Sequence, residues 1–374
     1  MIDRLKSLLT KRGCGVGIEL APERINIAQL KKQRQGYKLT AFSSTPVPEG
    51  LFQDGQIADP PALAELIQKA LTDTKIKAQW VATAVPGRES IVRLIPLPAE
   101  LNDQELREMV LNHEAGLYLP YPREEADVDY QKLGYFVDED GIEKVQVLLV
   151  ATRKQVTDTY MDTFQHAGLK VNVIEINSFA LIRTIREQLR TYSTNEGVAL
   201  VDVQFDNTEI AIIVDGVPQF SRTIPIGTYQ MQSALLRSMN LPASRDTQML
   251  ESFTLPLTSG DDDDEPEDMP DVDSGTLAVM RVLAELADEL RRSIDFYLSQ
   301  SENLEMVQVL LCGPGGGLGN LSEFFQQKLN IPTAPIDPVA ALSLDVDEEK
   351  ITPMQRPGLG TAIGLGIRGA WGNV

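Results

Sequence analysis

The sequence predicts an α/β protein built on an internal duplication, with a separate α/β module inserted after its first half. Three observations carry this reading. A short apolar run ending in an acid occurs twice, as Cys14-Gly-Val-Gly-Ile-Glu-Leu20 and as Gly197-Val-Ala-Leu-Val-Asp202. Each run is followed by two more strands, a helix and a further strand, in the same order. Between the copies, Arg88 to about Lys170 has its own helix, strand, strand, helix pattern.

In the first copy, Arg24–Leu30 alternates as a strand and Tyr37–Ser44 reads as another. Pro60–Leu71 has helical spacing at Leu63, Leu66, Ile67 and Leu71, with Asp59 as the N-cap before two prolines. Trp80–Val85 is a strand closed by Pro86-Gly87. In the second copy, the strands Thr208–Val214 and Val217–Ile224 flank Asp215-Gly216, the two-residue turn of a hairpin. A helix over Thr228–Met239 and a strand over Val307–Cys312 complete the repeat.

In the inserted module, Asp103–Leu119 reads as one amphipathic helix with Leu106, Met109, Val110, His113 and Leu117 on one side. Val128–Phe136 and Val145–Ala151 are strands around the turn Asp138–Gly141. Thr157–Ala167 is a helix stopped by Gly168. Asn177–Leu189 is a connecting helix, and Leu277–Leu298 a long amphipathic one.

Composition narrows the function. The chain has 374 residues, room for two domains, and 43% apolar residues, an ordinary value for a globular protein. With 34 basic against 54 acidic side chains the net charge is −20, which argues against nucleic-acid binding. The acids concentrate in Asp261–Asp273, inside a Ser259–Gly275 stretch that reads as a solvated, disordered loop. Two cysteines, Cys14 and Cys312, and two histidines build no zinc pattern and suit a reducing compartment. No apolar run approaches the ~20 residues of a membrane span. Met1–Leu9 puts Ile2, Leu5, Leu8 and Leu9 on one helical face beside Arg4 and Lys6. It reads as a short helix docked on its own protein or a frayed end in preference to a membrane anchor.

Two features carry chemistry. Leu310-Leu-Cys-Gly-Pro-Gly-Gly-Gly317 runs a strand directly into Gly313, Gly315, Gly316 and Gly317, with a helix expected over Leu318–Leu329. Such glycines let backbone approach a base or phosphate closely, although glycine turns also serve packing alone. Glu19 and Asp202 stand at equivalent strand ends of the two copies, where facing carboxylates can hold Mg²⁺ together with phosphate oxygens. His113 and His166 lack acid–base partners by spacing and read as structural.

The ordered motifs resemble the PilM family of type IV pilus assembly proteins, actin-like relatives of the division protein FtsA. Val85-Pro-Gly87 and Arg93-Leu-Ile-Pro-Leu-Pro98 come first, then Glu105-Leu106 and His113-Glu-Ala-Gly-Leu-Tyr-Leu-Pro-Tyr-Pro122. Asp129-Tyr130, Leu148–Ala151, Ala167-Gly-Leu169, Asn177–Leu181, Arg291–Tyr297 and Gly358–Gly369 follow in family order. The resemblance implies an actin-like (ribonuclease H-like) fold with an N-terminal segment 1–12. It implies subdomain 1A over 13–87, 171–195 and 340–374, and 1C over 88–170. Subdomain 2A would span 196–240 and 303–339, and 2B 241–302 with the acidic loop 259–275.

It also implies ATP and Mg²⁺ in the central cleft, with Glu19 and Asp202 as metal- and phosphate-side acids. Gly313, Gly315, Gly316 and Gly317 would form the adenosine-side turn, and Thr208 would help on the second phosphate loop. The implied partner is the cytoplasmic N-terminal peptide of PilN, in a groove between 1A and 1C, with links to the pilus motor ATPases and the membrane platform protein. The implied location is cytoplasmic, peripheral to the inner membrane. Tyr118, Pro120 and Tyr121 read as a helix end packed on its own module in preference to a partner surface.

Three departures from the family pattern bear on chemistry. The first loop reads Glu19-Leu-Ala-Pro-Glu-Arg24, where Ala21 lacks glycine's freedom and Pro22 lacks an amide donor. The second reads Asp202-Val-Gln-Phe, with Gln204 in a glycine's place, and the ribose-side helix reads Thr247-Gln-Met-Leu-Glu251. An adaptor without efficient hydrolysis is therefore expected, ahead of an active ATPase, a filament-forming cytoskeletal protein or a sugar kinase.

Overall fold

The computed structural model describes residues 14–256, 272–301 and 303–371. The expected N-terminal segment and most of the acidic loop lie outside the described residues. Two five-stranded sheets dominate. The first contains β1 (Cys14–Leu20), β2 (Arg24–Lys32) and β3 (Tyr37–Pro46); the short hairpin β4 (Phe52–Gln53), β5 (Gln56–Ile57) stands apart. Next come β6 (Trp80–Val85) and, after the inserted module of β7 (Ser90–Pro98), β8 (Ala126–Val137) and β9 (Glu143–Arg153), β10 (Lys170–Ile176). The second sheet contains β11 (Glu196–Val203), β12 (Thr208–Val214), β13 (Val217–Ile224), β14 (Glu305–Cys312) and β15 (Thr333–Pro335).

Read along each sheet, the orders are β3-β2-β1-β6-β10 and β13-β12-β11-β14-β15. They are the same order: an antiparallel three-strand meander, then two parallel strands on the far side of the first. The duplication read from the sequence is a duplication of topology.

Local chemistry explains most boundaries. Asp59 caps the helix Pro60–Asp73 by accepting from the Ala62 amide at 3.0 Å, and Leu63 and Ile67 are fully buried beneath it. Asp215 and Gly216 take φ of 51° and 72°, the turn expected between β12 and β13. Asp273 caps the helix Ser274–Leu298 by accepting from Gly275 and Thr276, so the helix begins inside the stretch expected to be acidic loop.

Three expectations are corrected. Asp103–Leu119 is not one α-helix: after Asp103–Glu108, Met109–Glu114 forms a π turn before Ala115–Tyr118. The wider turn shifts the phase, so Leu106, Val110 and Ala115 are buried while His113 and Leu117 face outward, Leu117 at 75% exposure. The connecting helix is broken at Ile185 into Asn177–Thr184 and Arg186–Leu189. β7 and β10 were not expected as strands. β7 carries Pro96 and Pro98 because it is an edge strand, paired only with β9. No helix among the described residues is long and apolar enough to cross a membrane.

The closing helix Gly360–Ala370 lies directly on β1. A Cβ on Gly17 would stand 2.4 Å from the Ala362 carbonyl oxygen and from the Gly366 nitrogen. The Gly17→Ala variant is expected to unfold at lower urea, by about 1–3 kcal/mol. Gly116→Ala, in a helix with open space around it, should be neutral or stabilising by up to about 1 kcal/mol.

Candidate functional site

A cleft opens between the two sheets at the ends of β1 and β11. Glu19 lines it, while Asp202, at the equivalent place on β11, is buried without lining it; each stands near the end of a central strand whose neighbours are all buried. Glu19 is 5% exposed and Asp202 3%. Asn26, opposite Glu19 on β2, donates its amide to Glu19 Oε2 at 3.0 Å. Gln204 donates to Asp202 Oδ2 at 2.7 Å, while Asp202 Oδ1 has no partner.

Glu209, directly opposite Asp202 on β12, is buried as well and accepts from the Gly87 amide at 3.1 Å. None of the three carboxyls has an ion pair among the described residues. Burial pushes Glu19 up to about 8, with the Asp202 charge adding to the rise and the Asn26 hydrogen bond opposing it. Burial likewise lifts Asp202 to about 6, and lifts Glu209 to about 7 with help from Asp202. Three buried acids without a counter-charge must hold protons or a cation.

The glycine turn is a 3-10 turn, Pro314–Gly317, and the helix after it begins at Leu321, later than expected. Gly313 has φ 76°, and a Cβ there would stand 2.4 Å from Asp202 Oδ1. Its bare backbone leaves room at the one free oxygen of Asp202. Gly315 packs against Val203, and Gly316 against Leu311. Of the four glycines, only Gly317 lines the cleft, beside Pro314, Met354 and Gly358. Gly313, Gly315 and Gly316 serve close packing. Thr208 does not reach the cleft either: its hydroxyl is fully buried and donates to the Ile226 carbonyl at 2.7 Å.

The two loops turn their donors inward. The Ala21 amide donates to the Arg24 carbonyl at 2.9 Å, and the Gln204 amide to the Asn207 carbonyl at 2.9 Å. Glu23, also on the cleft wall, is pushed up to about 7 by burial and by Asp206, with Arg24 and Arg245 offsetting part. Thr228, not singled out by sequence reading, lines the cleft with a buried hydroxyl that lacks a partner. Its signal is Gly227-Thr228 just after the third strand of the second copy. Glu209 was also missed, since only its place opposite Asp202 reveals it.

Glu19 and Asp202 are the carboxylates that would hold a divalent cation, Asp202 Oδ1 being buried and without a hydrogen-bond partner. Among the described residues no three His, Cys, Asp or Glu side chains cluster to chelate a metal by themselves. Two carboxylates sharing a cation with phosphate oxygens and water is the mode Mg²⁺ favours.

The inserted module is latched beside this cleft. Arg88 pairs with Asp206 at 2.9 Å, next to the Gly87–Glu209 hydrogen bond. A second, larger groove of about 520 Å³ runs between the module and the first sheet. Leu148, Val150, Ile174, Phe179 and Met161 give it an apolar floor, and Asp127, Asp129 and Asp158 an acidic rim. Two edge strands, β8 and β10, border it. The loop after the π turn stays on its own module, where the Arg153 guanidinium lies 4.3 Å from the Tyr121 ring centre.

Two sheets of one topology, facing each other across an acidic cleft, with a module inserted after the fourth strand of the first, make this an actin-like protein. The sequence model of the type IV pilus assembly protein PilM matches residues 17–259 and 267–370. The chain belongs to that family. Among solved structures, it is similar to a chain of a PilM-PilN type IV pilus biogenesis complex, with TM-score 0.79 and 24% identity, over 96% of this chain and 99% of that one. It is also similar to the ethanolamine utilization protein EutJ from Carboxydothermus hydrogenoformans, with TM-score 0.54 and 14% identity, over 98% and 96% of the two chains.

The raised acids set a pH dependence. Carboxyls with ordinary values of 4.5 and 3.8 when unfolded titrate at about 8, 7 and 6 when folded. The folded state therefore holds more protons across that window, and stability falls as pH rises through it. In metal-free buffer the calorimetric melting temperature is expected to drop between pH about 4.5 and about 8. Glu19→Gln should flatten that drop, and Mg²⁺ should restore part of it.

Proposed function

We propose that this chain is an ATP-binding adaptor of the type IV pilus assembly machine that holds the cytoplasmic N-terminal peptide of PilN. The observation that carries the reading is the apolar groove between the first sheet and the inserted module, in a chain of the PilM family. Its two unpaired strand edges and its apolar lining suit a short extended segment. ATP would sit in the acidic cleft with its base against Pro314, Gly317 and Met354, and Mg²⁺ would be held by Glu19 and the free oxygen of Asp202. The cation supplies the positive charge that the acids and the phosphates both lack.

The chain's own residues support binding more than hydrolysis. Efficient phosphoryl transfer depends on positioned donors around the transferred group and on an oriented water. Here the loop amides of Ala21 and Gln204 are used within their own turns, and Gln204 is spent on Asp202. Through its partner the adaptor would sit at the inner membrane on the cytoplasmic side, and relay to the motor ATPases and the platform protein belongs to the same proposal.

Titration with a labelled ATP analogue and Mg²⁺ should show saturable binding that Asp202→Ala weakens by ~30-fold or more. Steady-state phosphate release should stay at background; robust turnover abolished in Asp202→Ala would sink the adaptor reading. A synthetic PilN N-terminal peptide should bind the full chain, and Met161→Glu, at the groove floor, should weaken it by ~tenfold or more. Unchanged peptide affinity in that variant would remove the groove from the account.

A further inference from the structure

In a chain of net charge −20, one pole is basic. No acid stands between Arg24 and Glu49, and Lys31, Lys32, Arg34 and Lys38 fall within that interval. β2 and β3 gather them: Lys31 lies directly opposite Lys38 and Lys32 opposite Tyr37, with Arg34 in the connecting turn. All four are exposed, and none has an ion pair or side-chain hydrogen bond among the described residues. Like charges placed opposite each other are unfavourable for the sheet. Lysine guarding an edge strand would explain only Lys38, since Lys31 and Lys32 lie on the inner strand β2.

An aromatic pair stands beside these cations. Trp371, 42% exposed, donates its indole N–H to the Tyr37 hydroxyl at 2.8 Å. The guanidinium groups of Arg183 and Arg368 lie 5.3 Å and 5.6 Å from its ring centre. An exposed indole set among cations suits the headgroup layer of a bilayer. Opposing charge is partly neutralised already: Glu175 is paired with Arg183, and on the neighbouring loop Asp347 with Lys350 and Glu348 with Arg356.

Arg368 lines the apolar groove as well as the Trp371 stack, so the basic pole continues from the end of that groove. We propose that this pole, the β2–β3 hairpin with Trp371, rests directly on an anionic lipid surface. Its placement beside the groove rests on the peptide reading above; the charge and exposure of the hairpin do not. A peptide leading from the groove into a membrane would bring the pole to the lipid, and each basic residue there is worth about fivefold in binding.

The test is co-sedimentation of the full chain with vesicles containing phosphatidylglycerol, against pure phosphatidylcholine vesicles. Binding is expected only to the anionic vesicles and should weaken with added salt. The combined Lys31→Glu, Lys32→Glu, Arg34→Glu and Lys38→Glu variant should lose ~30-fold or more. The milder set with Gln at the same positions should shift the same way, with folding checked by circular dichroism. Peptide affinity measured on both variants should equal the unaltered chain's, which separates failure here from failure of the groove reading. No binding to anionic vesicles, or unaltered binding by both variants, overturns the proposal. Capture on polyglutamate resin without vesicle binding overturns it too and assigns the pole to an acidic protein.

Discussion

The close approach of the closing helix to β1 is the constraint on which the rest depends. Gly15 and Gly17 on the strand meet Ala362, Gly366 and Ala370 on the helix with no side chain between the two backbones. The same helix packs on β2, β6 and the helix Asn177–Thr184, where Gly364 touches the Ala180 backbone. This contact fixes the central strand of the first sheet and so the place of Glu19. The segment that leads into the helix reaches the other sheet, since the Gly313 amide donates to the Pro357 carbonyl at 3.1 Å. One C-terminal stretch therefore holds both walls of the cleft in register, and steric fit between small residues does the holding.

The cleft so formed is electrostatically incomplete. Glu19, Asp202 and Glu209 are buried without an ion pair among the described residues, although the protein has arginines close by. Those arginines are engaged elsewhere: Arg88 joins the module to Asp206, and Arg245 donates to the Pro22 carbonyl while its guanidinium lies 4.8 Å from the Phe205 ring centre. Cations tie the two walls together at the rim, and the buried acids are left without a positive charge beside them. Such an arrangement would suit the proposed cation-bearing ligand without presenting the donors that would speed its breakdown.

Much of the fold was legible because its signals are local. The caps at Asp59, the Asp215-Gly216 turn and the alternation of β2 depend on a few adjacent residues. What was missed depends on contacts distant in sequence. β10 forms because β6 offers it a parallel edge, and β7 because β9 accepts a strand with two prolines at the sheet margin. The π turn at Met109–Glu114 changes which side of a helix faces inward, and periodicity analysis assumes one pitch throughout. In the site, Glu19 and Asp202 could be read from strand ends. Glu209 and Thr228 could not, since their importance comes from the strand and turn opposite. Thr208 was misread because a hydroxyl next to a loop can equally well turn inward to a carbonyl.

The latch at Gly87 and Arg88 has a mechanical consequence. It lies at the covalent root of the inserted module, where β6 passes into β7. The β8–β9 hairpin extends from that region, and its strand of 12 residues is about 40 Å long. A root contact of this kind acts at the short arm of a lever. Tilting the module by a few degrees at Glu209 would carry the far tip, near Val137 and Ile142, through several ångströms. A small adjustment of that one part-buried hydrogen bond would thus be geared up into a displacement large enough for a neighbouring molecule to register.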